Sequence, residues 1–253
     1  MAQVIAFVSP KGGCGSTFLC AGLWHAFTEN SHRVLALDMC FDKGTLDFAL
    51  GFQNDYIYTL EDVLCGRIEF LDALCRYGET DGFFLRGAYS DTAFDVGKLR
   101  EYFKEFDYVL LDISSDKDAV RNILPVLDAL VCVTDLGCVS VKLCDDFLSD
   151  LDFERTYIAV NKIIPTYCQS GIHLTVDEAL DTLGCQLLGL VPWTPDAEIM
   201  LRQGMKHGIS DKSVSASFGN IMCRLKGERV KAIDFKKVYD CFKINKNFCI
   251  KID

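Results

Sequence analysis

Seven short runs rich in consecutive apolar residues constrain the fold of this 253-residue chain more than any other feature of its sequence. The runs cover residues 4–8, 33–37, 82–85, 108–111, 129–134, 157–160 and 187–191. Strands that are apolar on consecutive positions are typical of a parallel sheet with both faces covered. Most of the intervening segments are long enough for a helix, and alternating strands and helices build right-handed crossovers. We therefore predict a single α/β domain with a doubly wound, mostly parallel sheet.

Three of these runs are followed directly by an aspartate, namely Asp38, Asp112 and Asp135. Ligands of doubly wound sheets bind beyond the carboxyl ends of the strands. These three carboxylates are therefore the first candidates for functional side chains.

The segment that follows the first run is rich in glycine and reads Ser-Pro-Lys-Gly-Gly-Cys-Gly-Ser-Thr over residues 9–17. A helix is predicted to start near Thr17. Glycines let backbone N–H groups converge on phosphate oxygens, the helix N-terminus adds partial positive charge, and a hydroxyl can bind Mg²⁺. We interpret the segment as a phosphate-binding loop, and the alternative is a tight turn in which the glycines serve geometry only.

Net charge limits the classes of partner. The total is −10, which argues against general affinity for nucleic-acid phosphates, and no base-specific nucleic-acid binding is expected.

We predict one domain over residues 1–227 and a basic C-terminal tail over residues 228–253. The tail holds seven Lys and Arg against four Asp and Glu, so it carries +3 and the rest of the chain −13. Its apolar residues recur at helical spacing, which predicts an amphipathic helix that packs on the domain or, alternatively, contacts a membrane surface weakly.

Thirteen cysteines are unusual, but no two of them form a Cys-x-x-Cys pair. Local spacing therefore predicts no zinc or iron–sulfur site, and most of the thiols are interpreted as small apolar residues.

The N-terminus lacks the features of a signal peptide, and no apolar run reaches the roughly 18 residues of a spanning helix. We expect a cytoplasmic protein, with the inner membrane face as a peripheral location for the tail.

The loop and four later segments resemble one family. Lys11, Gly12, Gly13 and Gly15 resemble the deviant Walker A loop of the MinD/ParA ATPases, whose usual form is Lys-Gly-Gly-x-Gly-Lys-Thr. Similar segments follow at residues 34–51, 106–112, 160–162 and 189–192, so the resemblance covers most of the chain. It implies a P-loop NTPase fold, ATP and Mg²⁺ as cofactors, and a homodimer that works with a protein partner of division, partition or pilus machinery.

The resemblance also assigns roles to individual residues. It implies that the nucleotide is held by Lys11, Gly12, Gly13, Cys14, Gly15, Ser16, Thr17, Asn161 and Pro192. Thr17 is the expected magnesium ligand, and Asp112 is expected to hold the ion through water. Lys11 in the family reaches the partner's phosphates across a dimer, and Lys11 and Asp38 are the candidate catalytic residues.

This chain departs from the family pattern at each motif that touches the γ-phosphate. Ser16 stands where the loop has its phosphate-binding lysine, and Pro10 stands where the strict Walker pattern has its first glycine. Cys40 replaces the second carboxylate of Asp-x-Asp, which orients the attacking water. Asp116 replaces a glycine that senses the γ-phosphate, and it adds negative charge there.

These departures predict a MinD/ParA-like protein for spatial positioning, at a division site or for a partitioned cargo, with weak or lost ATP hydrolysis. The alternative is a non-catalytic dimerising hub that resembles the pilus-positioning proteins TadZ and CpaE. A third hypothesis, an electron carrier resembling nitrogenase reductase, lacks the pattern of cluster cysteines that it needs.

Overall fold

The computed structural model describes residues 1–40, 44–87, 96–204 and 208–231. Its strands are β1 (Gln3–Val8), β2 (Val34–Met39), β3 (Cys75–Arg76), β4 (Gly82–Arg86), β5 (Tyr108–Ile113), β6 (Ala129–Thr134), β7 (Thr156–Ile163) and β8 (Gln186–Pro192). The α-helices are α1 (Ser16–Glu29), α2 (Leu46–Leu50), α3 (Leu60–Leu64), α4 (Val96–Phe103), α5 (Lys117–Ile123), α6 (Cys138–Leu148), α7 (Pro165–Gln169), α8 (Val176–Leu183), α9 (Asp196–Gln203) and α10 (Lys212–Leu225). Two short 3-10 helices cover Leu71–Ala73 and Leu124–Val126.

All eight strands form one sheet in the order β3-β4-β2-β5-β1-β6-β7-β8. Every neighbouring pair is parallel except β3 and β4, which are antiparallel. The predicted doubly wound, mostly parallel α/β sheet is therefore confirmed, and each of the seven apolar runs is a strand. The additional strand, β3, has only two residues at the sheet edge, so it has no run that a sequence pattern could detect.

Two apolar layers, one on each face of the sheet, explain why the strands are apolar on consecutive residues. In β1, Val4, Ala6 and Val8 belong to one layer, whereas Ile5 and Phe7 belong to the other. Side chains of a strand alternate between the two faces, so a strand covered on both sides needs apolar residues throughout. Full burial of a Val, Ile or Phe side chain such as those of β1 stabilises the fold by about 1.5–3 kcal/mol.

Helices α1 and α10 pack together on one of these faces. Gly22 of α1 allows the close approach, because a Cβ atom there would lie 2.3 Å from the Phe218 ring of α10. The opposite layer receives side chains from α4, α5, α6 and α8, including Phe103, Val120 and Phe147.

Parallel pairing brings the carboxyl ends of the central strands to one edge of the sheet. Asp38 at the end of β2 lies opposite Asp112 of β5, and Asp112 lies opposite Phe7 of β1. Strand β1 therefore directs the glycine-rich loop to the edge where both carboxylates stand.

The predicted tail over residues 228–253 lies outside the described residues beyond Lys231, so its amphipathic helix stays a prediction. The last helix of the described residues, α10, ends at Leu225. No helix in the described part of the chain has the length and apolar character required to cross a bilayer.

Candidate functional site

The glycine-rich loop joins β1 to the N-terminus of α1, as its sequence predicted. Gly13 and Gly15 have φ angles of 84° and 99°, which non-glycine residues rarely adopt. Gly15 is the N-cap of α1, and no side chain among the described residues caps this 14-residue helix. The first N–H groups of α1 therefore have no intrahelical acceptor, and a helix end of this kind binds anions readily.

Asn161, at the end of β7, contacts the loop directly. Its buried side-chain amide donates a hydrogen bond from Nδ2 to the Cys14 carbonyl at 2.8 Å. A Cβ atom on Gly15 would lie 2.4 Å from the same Nδ2 atom. Asn161 thus fixes the loop conformation, a role that sequence reasoning missed because the contact joins residues 147 positions apart. Pro192, which the resemblance also assigned to the nucleotide, ends β8 and is buried.

Lys11 forms an ion pair with Asp135 within the same chain. The distance between Lys11 Nζ and Asp135 Oδ2 is 3.1 Å, and Asp135 Oδ1 accepts a hydrogen bond from the Gly137 N–H. The hydrogen bond to Asp135 raises the pKa of Lys11. Burial opposes ionisation of Asp135, but hydrogen bonds from Ser140, Gly137 and Lys11 hold its pKa below the usual value. Lys11 is therefore charged and directed towards β6 in the single chain.

Thr17 and Asp112 form the second contact of the loop. The Thr17 hydroxyl donates to Asp112 Oδ2 at 2.6 Å, whereas the buried Oδ1 has no hydrogen-bond partner in the described part of the chain. Burial raises the pKa of Asp112 to about 7, and the Asp38 charge adds to the rise, while hydrogen bonds from Thr17 and Ser16 oppose it. A cation beside the unpartnered oxygen would stabilise the ionised carboxyl.

Asp38 is held by three donors at the end of β2. Its Oδ2 accepts from Arg86 at 2.7 Å and from the Leu46 N–H at 3.2 Å, and its Oδ1 accepts from the Cys40 N–H at 3.0 Å. Burial raises the pKa of Asp38, although the Arg86 charge opposes this effect. Arg86 also lies 3.8 Å from the carboxylate of Asp47. The Asp38 carboxylate is thus anchored in a buried ion-pair network.

Arg86 is the residue that sequence reasoning missed in this network. It follows the apolar run at residues 82–85, and it became relevant only when β4 paired with β2 and placed it opposite Asp38. An arginine directly after an apolar run was the available signal, but its partner depended on the strand order.

Cys40 stands at the position of the second carboxylate, and its thiol is partly buried. Burial raises the pKa of Cys40, and the nearby Asp112 and Asp38 charges raise it further. The side chain is therefore a neutral thiol at physiological pH. Asp42, the next carboxylate in the sequence after Cys40, lies outside the described residues.

Asp116 has a local structural contact. Its Oδ1 accepts a hydrogen bond from the Ala119 N–H at 2.8 Å, so it is the N-cap of α5. Aspartate is among the preferred N-cap residues because its carboxylate satisfies an unpaired helix N–H. The chain therefore gains a helix cap at the position where the family pattern has glycine.

A family model decides the relationship. The CbiA model, described as the CobQ/CobB/MinD/ParA nucleotide binding domain, matches residues 5–206. The chain belongs to the CobQ/CobB/MinD/ParA family. The resemblance that the loop motifs indicated is thereby confirmed.

Individual members of the CobQ/CobB/MinD/ParA family agree with this assignment. The septum site-determining protein MinD of Thermotoga maritima is 26% identical over 247 residues, which cover 91% of this chain and 90% of that protein. The fold matches MinD in the Aquifex aeolicus MinC:MinD complex with a TM-score of 0.80 and 24% identity, over 90% of this chain and 98% of that one. It also matches Pyrococcus horikoshii MinD complexed with Mg-ADP, with a TM-score of 0.72 and 23% identity, over 89% of this chain and 96% of that one.

Proposed function

We propose that this chain is a MinD-like nucleotide-binding protein that acts in spatial positioning, at a division site or for a partitioned cargo, and hydrolyses ATP weakly or not at all. One observation carries the proposal. The phosphate-binding end of the site keeps its open helix N-terminus and the Thr17–Asp112 contact, while the hydrolytic end holds Asp38 in an ion pair beside a neutral thiol.

Phosphate binding is supported by the backbone of the loop. The positive φ angles of Gly13 and Gly15 and the uncapped start of α1 suit a phosphate group. Ser16 supplies a hydroxyl instead of an ammonium group, so one positive charge on the phosphates is missing. We therefore propose binding that is weaker than in relatives with lysine at this position.

Among the described residues, neither position of the Asp-x-Asp motif offers a free carboxylate for hydrolysis. An attacking water must be oriented in line with the leaving group. Asp38 is occupied by Arg86 and two backbone N–H groups, and the neutral Cys40 thiol cannot accept a water proton as a carboxylate does. The described residues thus bind phosphate better than they activate water.

Mg²⁺ fits the same arrangement. Thr17 and Asp112 would hold it, Asp112 through water, because a hydroxyl and an unpartnered buried carboxylate oxygen are hard oxygen donors. When bound, the ion would neutralise part of the negative charge of the phosphates. A structure of MinD from Pyrococcus horikoshii contains Mg-ADP, which supports this assignment by family membership.

Family membership also supports a proposal about the partners of this chain. MinD of Aquifex aeolicus forms a complex with MinC, which supports a protein partner of division or partition machinery for this chain. Lys11 is exposed enough, at 39%, to leave Asp135 and reach a second copy. We propose a homodimer, with weak membrane-surface contact through the basic tail.

Titration calorimetry of the full chain with Mg-ATP tests nucleotide binding. The wild type should bind, Ser16→Lys should bind at least about tenfold more tightly, and Thr17→Ala should bind more weakly. If neither the wild type nor Ser16→Lys binds, the nucleotide-binding proposal is wrong. A non-catalytic hub similar to TadZ and CpaE then explains the chain better.

A further inference from the structure

Three candidate metal ligands that are separate in sequence meet at the ends of β2 and β5. Asp38 and Asp112 are direct partners in the parallel register, and Cys40 lies just beyond the end of β2. One carboxylate oxygen of each aspartate and the Cys40 sulfur all lie within 4.8 Å of one another. Local spacing cannot reveal this group because two adjacent strands contribute to it.

Asp112 provides an independent indication that this group has a ligand. The residue is 0% exposed, and its Oδ1 has no hydrogen-bond partner among the described residues. An unsatisfied buried acceptor destabilises the folded protein, and a charged one does so more strongly. A cation bound by Asp112 would give this oxygen a partner.

The charges of the buried side chains around this group also favour a bound cation. Asp38, Asp47 and Asp112 are three buried carboxyl groups, and Arg86 contributes one positive charge through contacts with the first two. Asp112 accepts hydrogen bonds from the Thr17 and Ser16 hydroxyls, which carry no charge. A divalent cation at Asp38, Cys40 and Asp112 would offset the remaining negative charge.

The kinds of ligand atom in this group, one sulfur and two carboxylate oxygens, indicate which metal it would bind. Mg²⁺ prefers oxygen ligands and retains water, whereas a thiolate with carboxylates suits Zn²⁺. We infer that Asp38, Cys40 and Asp112 form a zinc site, with one sulfur and two carboxylate ligands and an open fourth position.

Small movements suffice to close this site. Zn²⁺ binds sulfur and oxygen at roughly 2.0–2.3 Å, so its ligand atoms lie about 3–4 Å apart in a tetrahedron. As the zinc–sulfur bond forms, the Cys40 thiol releases its proton to solvent. Arg86 and the Leu46 N–H already orient Asp38 through Oδ2, and such outer contacts fix the direction of a metal ligand.

The zinc site goes beyond the proposed nucleotide function and needs no nucleotide. Asp112 belongs to both positions, so the two ions are alternatives there: the magnesium position adds Thr17, whereas the zinc position adds Asp38 and Cys40. Tests without nucleotide therefore separate the two proposals.

Zinc titration of the chelator-treated full chain, in competition with a chromophoric chelator, measures the site. Cys40→Ala should weaken binding of one Zn²⁺ at least about tenfold, since even loss of an outer contact costs 10–100-fold. Cys65→Ala is the matched control, because Cys65 is an exposed thiol elsewhere on the chain. It should bind as the wild type does, and excess Mg²⁺ should not displace the zinc.

Cobalt replaces zinc as a spectroscopic probe of the same site. The wild type and Cys65→Ala should show a thiolate-to-cobalt charge-transfer band that Cys40→Ala lacks. Circular dichroism verifies that each variant is folded, and Asp112→Asn provides a second ligand variant that keeps the side-chain shape. Absence of zinc binding by the wild type, or equal binding and equal bands in Cys40→Ala, would overturn the inference.

Discussion

Arg86 donates a hydrogen bond to Asp38 Oδ2 at 2.7 Å, and both side chains are buried where β4 and β2 end side by side. This contact places a positive charge on the carboxylate that sequence reasoning chose as a catalytic candidate. Asp38 is therefore a structural anchor of the sheet edge, and the site keeps phosphate-binding elements without a free carboxylate at this position.

Replacement of Arg86 tests the anchor. Arg86→Met leaves Asp38 and Asp47 buried without their cation, so we expect a loss of about 3–5 kcal/mol in the free energy of unfolding. Urea denaturation measures this loss. Arg121→Met removes an exposed ion pair with Asp118 and should cost less than about 1 kcal/mol. Equal effects of the two substitutions would contradict the buried anchor.

Two glycines of the loop differ in their tolerance of a side chain. Gly15→Ala puts a Cβ atom 2.4 Å from Asn161 Nδ2 at a φ of 99°, so it should lower stability by at least about 1–2 kcal/mol and weaken Mg-ATP binding. Gly12→Ala meets nothing within 4 Å and should unfold like the wild type. Thermal denaturation and calorimetry compare the pair, and unchanged stability of Gly15→Ala would show that the loop conformation is different.

Asp112 should make stability depend on pH. Burial raises its pKa to about 7 in the metal-free protein, whereas an unfolded aspartate titrates at about 3.9. A raised folded-state pKa favours folding while the carboxyl is protonated, so this contribution is complete below about pH 4 and is lost as the pH rises through about 7.

The variant Asp112→Asn isolates this effect because an amide resembles the protonated carboxyl. Between about pH 4.5 and pH 8, the metal-free wild type should lose about 3 kcal/mol relative to the variant. Urea denaturation at both values gives the difference. Parallel pH profiles would mean that Asp112 keeps an ordinary pKa.

Lys11 should matter for assembly more than for folding. Its partly exposed ion pair with Asp135 contributes no more than about 1 kcal/mol, so Lys11→Ala should unfold nearly as the wild type does. With Mg-ATP, we expect the wild type to dimerise and Lys11→Ala to remain monomeric. Light scattering after size-exclusion chromatography measures both masses, and a Lys11→Ala dimer would refute this role.

The sequence predicted the parts of the fold that depend on long, local patterns. Burial on both faces makes β1, β2 and β4–β8 apolar on consecutive residues, so each strand was recognisable. The two-residue β3 carries too few residues for such a pattern. The position of the glycine-rich loop was predictable because its residues are adjacent in sequence.

The contacts that define the site depend on which strands are neighbours. Arg86 meets Asp38 because β4 pairs with β2, and Asp112 meets Asp38 because β5 pairs with β2 on the other side. Asn161 reaches the Cys14 carbonyl from β7. Sequence reasoning placed Asp38 and Asp112 at strand ends, and the family resemblance assigned Asn161 to the nucleotide. The partners of these side chains required the strand order.

Steady-state ATP turnover tests the central claim of weak or lost hydrolysis most directly. The comparison uses the wild type, the double variant Ser16→Lys/Cys40→Asp, and Thr17→Ala as the control that lacks the expected magnesium ligand. We predict that the wild type turns over ATP no faster than Thr17→Ala, and that the double variant is at least about tenfold faster, a barrier difference of about 1.4 kcal/mol. Wild-type turnover well above that of Thr17→Ala would contradict the claim.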